Sequence, residues 1–406
     1  MVAIAPVAPS RPVVAPAKPA TTSDYWPQLD GVRSIGFLAV FIVHAGPIPG
    51  AANAFVAAFN WFSHRCSFGL DLFFALSGYL ITTLLLREKD KWGSISYRSF
   101  YTKRALRIWP IYFGFVVIAG CLILPLFSLH HLSVYWKFLL QAVLPLSLFV
   151  ANFTIPFNQI FIYKFGQEIG IPIGSLILPC WSLCVEEQFY LFCPLLLNRI
   201  SNVKKLFGML ASLAVLSIAV RFVLYGLTPY LTRFGLPKYF YHFNTIAHME
   251  PLLLGTAIGL AFFRFPAFLA WSKNHAGIFL ATLGLLASLL FMPGITLGEV
   301  PKMSVEAYFC AVILILVLVY EPFKKTFSNP TLVALGKRTY CMYLIHFPIM
   351  SCTKAWLTDS VHLAKTPWFW VVNVSLTLVA TIVLSLISWE LVEKRFLSMK
   401  KLYNRA

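Results

Sequence analysis

Apolar stretches of membrane-crossing length recur along this chain, near residues 33–49, 68–86, 108–127, 180–197, 206–226, 248–265, 276–292, 306–321, 339–355 and 367–389. A helix needs about 17 to 25 such residues to cross the hydrocarbon core, and only helices or closed barrels satisfy their backbone polar groups there. The expected fold class is therefore all-α: a polytopic transmembrane helix bundle of about ten spans. Charged residues make up 12% of the 406 residues, against about 25% in a typical soluble domain. That excludes a soluble core with a single anchor.

Residues 1–23, with Pro6, Pro9, Pro12, Pro16 and Pro19 among Ala and Val, cannot hold a helix, because proline removes a donor and fixes φ. A disordered Pro/Ala-rich cytoplasmic tail is expected there, with the bundle at 24–397 and a basic cytoplasmic tail at 398–406. The stretch from Ser133 to Ala151 is ambiguous, since it carries Lys137, Gln141 and Pro145, and counting it as a span reverses everything downstream. Lys and Arg near span ends stay on the cytoplasmic side. With ten spans they gather on one set of loops, Arg87 to Arg107 foremost, whereas with eleven the bias vanishes. Both termini are thus expected in the cytoplasm, and the net charge of +18 reflects topology and contact with the lipid bilayer, with no nucleic-acid partner. The eight cysteines show no C-x-x-C pair and no metal-ligand spacing, so buried free thiols and no metal are expected.

Within this apolar background the ionisable residues stand out, because each is expensive inside a bilayer and tends to face the bundle interior. Arg33 and His44 lie eleven positions apart, almost three helical turns, which puts them on one face about 16 Å apart. Span one runs outward, so Arg33 sits at the cytoplasmic mouth and His44 near the outer end. Spans two and four run inward and place Asp71, Glu186 and Glu187 at the depth of His44, with Glu250 close by. A histidine beside a carboxylate is the usual general-base arrangement. Arg104 and Arg107, at i and i+3 on the third helix, join Arg33 in a basic layer. Guanidinium forks match phosphate geometry, although head-group anchoring explains the same pair. His346 reads as a helix–helix hydrogen bond, and Ser77-Gly78 as a close-packing site with a nucleophilic Ser77 as the alternative. Tyr163, Tyr230, Tyr239 and Tyr241, between spans, suit sugar stacking or the lipid interface. There is no G-x-S-x-G elbow, P-loop or H-E-x-x-H.

Four ordered motifs carry a resemblance. They are Leu29-Asp30-Gly31-Val32-Arg33 through His44; Gly69-Leu70-Asp71-Leu72-Phe73-Phe74-Ala75-Leu76-Ser77-Gly78-Tyr79-Leu80-Ile81; Phe100 to Pro110, containing Arg104-Ala105-Leu106-Arg107; and Trp181-Ser182-Leu183-Cys184-Val185-Glu186-Glu187-Gln188-Phe189-Tyr190-Leu191. With Tyr343-Leu344-Ile345-His346 and Glu390 to Phe396 they resemble the signatures of the acyltransferase 3 family of integral membrane O-acyltransferases, from about Tyr25 to Phe396. The resemblance implies ten spans and transfer of an acetyl or other short acyl group from acyl-CoA, with acetyl-CoA foremost, to a hydroxyl of a carbohydrate or glycolipid acceptor. It implies a bacterial inner (plasma) membrane setting. The family's arginine-to-histidine motif falls on Arg33 and His44, its paired arginines on Arg104 and Arg107, and its glutamate on Glu187.

The expected catalytic set is His44, Glu187 and Asp71, and the expected substrate-binding set is Arg33, Arg104, Arg107, Asp30 and Glu186. His44, oriented by Asp71 or Glu187, takes the acceptor proton while the arginines hold the donor phosphates. A polytopic transporter of a small polar or acylated substrate is the alternative from another class. It is disfavoured by the lack of a second copy of the Arg33–His44 or Trp181–Leu191 segments.

Overall fold

The computed structural model describes residues 25–49, 53–118, 136–156, 173–234, 240–359, 361 and 367–403, and every regular element among them is helical. The principal helices are α1 (Pro27–Ala45), α2 (Ala54–Ser63), α3 (Phe68–Trp92), α4 (Tyr97–Val117), α5 (Cys180–Arg199), α6 (Val203–Leu231), α7 (Glu250–Arg264), α8 (Pro266–Asn274), α9 (Ala276–Phe291), α10 (Glu299–Val319), α11 (Thr339–Asp359) and α12 (Pro367–Ser388). Six helical stretches among the described residues are long and apolar enough to cross a membrane, and a seventh joins them if α7 and α8, bent by 105° at Phe265, count as one span. The expected count of ten is thus met only in part. Each of the ten expected stretches does hold a helix, but α9 is short, α4 begins with Arg98, Lys103, Arg104 and Arg107, and α11 mixes Tyr, His, Ser and Thr into its apolar run. The tail at 1–23 lies outside the described residues. The described part of the ambiguous stretch is broken at Leu148–Val150, where Phe149 takes φ 54°.

Local chemistry sets the helix ends. Pro27 occupies the first turn of α1, where its missing N–H costs nothing, and Gly46 at φ 68° stops the helix one residue beyond His44, just before Pro47. The side chains of Ser96 and Asn202 cap α4 and α6 by accepting from the backbone N–H of Ser99 and Lys205.

Between Leu72 and Leu86 helix α3 carries no charged residue on any face, which marks a central helix. Phe74, Ile81 and Leu85 face one core cluster, and Leu72, Ala75, Leu76 and Tyr79 face another. Its most extensive neighbour is α7. That approach depends on two glycines, since a Cβ at Gly78 would sit 2.1 Å from the Leu252 carbonyl oxygen and one at Gly255 would sit 2.0 Å from that of Ala75. The expected close packing at Ser77-Gly78 is therefore present. Gly255 and Gly259, four residues apart, form the small-xxx-small spacing that signals such a contact.

Buried ion pairs then lock the bundle. Arg221 on α6, only 1% exposed, donates to Glu250 on α7 (Nη2 to Oε2, 3.0 Å), to Ser304 on α10 (3.1 Å) and to the Ala247 carbonyl (2.9 Å). Glu250, expected near His44, is instead held here, because a buried guanidinium requires a carboxylate partner. Arg221→Met should leave Glu250 uncompensated and destabilise the protein by about 3–5 kcal/mol, whereas Arg221→Met with Glu250→Leu should recover most of the loss. Thermal unfolding in detergent checks this, and equal losses in the single and double variants would show that the pair is not what holds α6 to α7.

Candidate functional site

The site begins at the Arg33 end of α1. Arg33 pairs with Asp30 one turn earlier, so Asp30 serves to hold the guanidinium. Arg104 and Arg107 come to the same place from α4, and neither forms an ion pair among the described residues. Arg104 lies over the rings of Phe100 and Tyr190, with Cζ 5.7 and 5.6 Å from their centroids. Two guanidinium groups left without a carboxylate are a ready anion site.

These three arginines line two cavities that share part of their walls. A vestibule of about 450 Å³ is walled by Tyr25, Trp26, Asp30, Lys337, Trp389 and Glu393. A narrower cavity of about 80 Å³ shares Arg33, Leu80, Arg104, Arg107 and Tyr340 with it and continues inward between Leu70, Phe73, Phe74, Ile81, Ile108 and Leu183. Glu186, Ser77 and Tyr190 form its polar side: Ser77 donates to Glu186, and the Tyr190 hydroxyl donates to Ser77 at 3.2 Å. At its inner end stand Ser182 and Tyr343, whose hydroxyl oxygens are 2.6 Å apart, and Phe73, whose ring meets that of Tyr343 edge-on at 6.0 Å.

Beyond that end lie two imidazoles. Tyr343 and His346 share one face of α11, three residues apart, with ring centroids separated by 5.8 Å. His346 is fully buried and reaches across to α1, its Nε2 2.8 Å from Nδ1 of His44. The protons on this pair follow from what each partner can accept. The Tyr343 backbone carbonyl only accepts, so His346 Nδ1, 2.7 Å from it, must carry a hydrogen. In the neutral ring His346 Nε2 is then an acceptor, His44 Nδ1 donates to it, and His44 Nε2 keeps its lone pair. His44 itself is half-buried and stacks on Phe347 at 4.5 Å.

The expectation that a carboxylate orients His44 is corrected by this geometry. Asp71 faces α7 and binds Nε2 of His248 at 2.8 Å, while His248 Nδ1 donates to the His242 carbonyl, also at 2.8 Å. That pair shares one proton between imidazole and carboxyl, and it packs against Trp181, 5.4 Å from His248. Glu186 follows Ser182 by four residues, about 6 Å along α5, which carries it toward the arginines and away from His44. It shares a cavity with Arg33, Arg104 and Arg107. Glu187 faces Trp109, and its Oε1 is buried with no hydrogen-bond partner among the described residues. Of the loop tyrosines, Tyr230 is exposed and Tyr241 buried, while Tyr163 and Tyr239 lie outside the described residues. Of the cysteines, Cys352 is exposed and Cys66, Cys180, Cys184, Cys193, Cys310 and Cys341 are buried free thiols.

The reading of His346 as a helix–helix hydrogen bond holds, since it bonds His44 across α1 and α11, but its partner was not foreseen, nor were the Asp71–His248 pair and the hydroxyl pair of Ser182 and Tyr343. The usable signal was that an imidazole inside a bilayer needs a polar partner from another helix.

Comparison with known proteins gives concordant matches. A family model described as an acyltransferase domain matches residues 26–390. A provisionally named O-acetyltransferase of Staphylococcus aureus strain MSSA476 is 26% identical over 371 residues, covering 87% of this chain and 55% of that protein. The peptidoglycan O-acetyltransferase OatA of Listeria monocytogenes is 26% identical over 382 residues, covering 91% of this chain and 55% of its own length. The O-acetyltransferase OatA of Staphylococcus aureus strain NCTC 8325 is 28% identical over 342 residues, 80% of this chain and 51% of that protein. The chain thus spans about half the length of the curated relatives it matches. No solved structure matches it.

The tautomer assignment is directly measurable. Nitrogen-15 spectra of histidine-labelled protein at neutral pH should show a protonated Nδ1 and a bare Nε2 on His44. His346→Phe, which removes the acceptor, should return the His44 signals to the mixture of a free imidazole. A wild-type His44 protonated on Nε2 would contradict the assignment.

Proposed function

The chain belongs to the acyltransferase 3 family, and from that premise we propose that it moves an acetyl or other short acyl group from acyl-CoA to a hydroxyl of a carbohydrate or glycolipid acceptor at a bacterial inner membrane. The proposal includes ten spans with both termini in the cytoplasm, the arrangement that puts the Lys and Arg excess on one side. Arg33, Arg104 and Arg107 then open to the cytoplasm, where acyl-CoA is found, and His44 lies toward the acceptor.

One observation carries the reading: two cavities that share Arg33, Arg104 and Arg107 in their walls reach from Arg104 and Arg107, which form no ion pair among the described residues, to Tyr343, one helical turn from the imidazole pair. Its wide cationic vestibule suits the donor phosphates, and its narrow apolar continuation suits the slender arm that bears the thioester. Asp30 steadies Arg33, and Glu186 fixes Ser77 and Tyr190 along the path. His44 Nε2 removes the proton from the acceptor hydroxyl as its oxygen bonds to the thioester carbon. The tetrahedral adduct expels the coenzyme A sulfur, and the departing thiolate takes the proton from His44. Asp71 and Glu187 support this centre from a distance, Asp71 by holding His248 between α3 and α7.

The acceptor class rests on the named relatives, one of which is called a peptidoglycan O-acetyltransferase. In proteoliposomes, release of coenzyme A from acetyl-CoA should depend on added muropeptide and on His44. A positioned base contributes about 10²–10⁴ in rate, so His44→Ala should lower turnover at least a hundredfold without loss of folded protein. Vesicle uptake of label with no release of coenzyme A would instead identify a transporter. Near-normal turnover in His44→Ala would remove the assigned base.

A further inference from the structure

The inner end of the donor cavity is polar, although Leu70, Phe73 and Phe74 line the wall beside it. Ser182, 2% exposed on the first turn of α5, and Tyr343, 7% exposed on α11, meet there across two helices. A pair of hydroxyls is an uneconomical plug for an apolar throat, because burying them requires both to be hydrogen-bonded. Phe or Leu would close the same space at no such cost.

The hydrogen count shows what the pair can do. Ser182 has one proton and two acceptors within reach, the Pro179 carbonyl at 3.2 Å and the Tyr343 oxygen at 2.6 Å. With Ser182 donating to Pro179, Tyr343 donates to Ser182 and the chain is satisfied. If the Ser182 hydroxyl turns to Tyr343, the phenolic hydrogen is released toward the cavity. A single hydroxyl rotation therefore converts a closed pair into a donor facing whatever reaches the inner end. The proposed base follows that end ring by ring: the Tyr343 ring lies 5.8 Å from that of His346, which lies 5.0 Å from that of His44.

We propose that the Tyr343 hydroxyl, backed by Ser182, donates to the thioester carbonyl oxygen and stabilises the oxyanion formed when the acceptor attacks. This rests on the acyl-transfer reading and deepens it. As the acceptor oxygen bonds to the acyl carbon, the carbonyl π pair moves onto its oxygen, and the Tyr343 and Ser182 hydrogens align in series toward that charge. When the C–S bond breaks, the carbonyl re-forms and the Ser182 hydroxyl returns to Pro179. No proton is transferred at Tyr343, so the base and leaving-group protons remain as described for His44.

A preorganised donor of this kind is worth about 10²–10³ in kcat. Tyr343→Phe keeps the ring against Phe73 and removes only the hydroxyl. With acetyl-CoA and muropeptide in proteoliposomes it should lower kcat 10²–10³-fold, leaving the KM for acetyl-CoA and the calorimetric affinity for coenzyme A unchanged. Ser182→Ala, which leaves Tyr343 able to donate, should cost less. Fluorotyrosines placed at 343 should give kcat values that follow phenol acidity, a dependence that a space-filling role would not show. A Tyr343→Phe protein with kcat within threefold of wild type, one altered only in KM, or a fluorotyrosine series without a trend would overturn the proposal. If wild-type protein releases no coenzyme A, the acyl-transfer reading itself fails, which is a separate result.

Discussion

A bilayer interior supplies no water, so each polar or charged group inside the bundle must find its partner in the protein itself. The helix arrangement is largely a solution to that demand. Arg221 meets Glu250, Asp71 meets His248, His44 meets His346, Ser77 meets Glu186 and Ser182 meets Tyr343, each pair joining two different helices. Arg104 and Arg107 depart from this pattern, having no carboxylate within ion-pair distance among the described residues. They border the vestibule, where water or an incoming anion can do what a carboxylate does elsewhere.

The glycine contacts of α3 with α7 turn this pairing into a shaped site. With Gly78 and Gly255 allowing backbone contact, α3 sits at the centre and presents different faces to different neighbours. Asp71 turns to His248 on the α7 side, Phe73 turns to Tyr343, and Ser77 turns to Glu186 on α5. One helix therefore contributes to the structural lock, to the closed end of the cavity and to its polar side. Widening the α3–α7 contact would displace all three together, which ties the geometry of the cavity to packing at a point outside it.

The basic end was legible in the sequence, and the imidazole end only half so. Arg33, Arg104 and Arg107 announce themselves as costly charges at helical spacing, and the fold brings them together as that spacing implies. His44 was equally visible, but its partner was not. Acidic residues at similar depth made a carboxylate the natural expectation, yet depth fixes only one coordinate, and the rotation of each helix about its axis decides which residues face each other. Asp71 points to α7, and Glu186 lies a turn nearer the arginines. His346, 302 positions from His44 in sequence, carries no local signal that it faces α1 in place of another neighbour. The ten apolar stretches predicted helices correctly, while six or seven of the described helices have the length and apolarity of spans, because polar residues serving the site dilute α4 and α11.

A neutral imidazole beside the proposed base has a consequence that a carboxylate would not. In a base–carboxylate pair, proton abstraction creates a cation already matched by a fixed anion, and the adduct's negative charge is then surplus in a low-dielectric site. With His346 as the partner, His44 begins without a counter-charge, and the cation formed on abstraction is matched first by the oxyanion of the adduct and then by the thiolate it expels. Charge separation is confined to the reacting groups, where the distance is short and Coulomb attraction strongest. The arrangement favours returning the proton to the sulfur over losing it elsewhere, because among the described residues no carboxylate is paired with His44 to compete for the imidazolium. It also places the demand for stabilisation on the oxyanion, the role proposed for the hydroxyls of Tyr343 and Ser182.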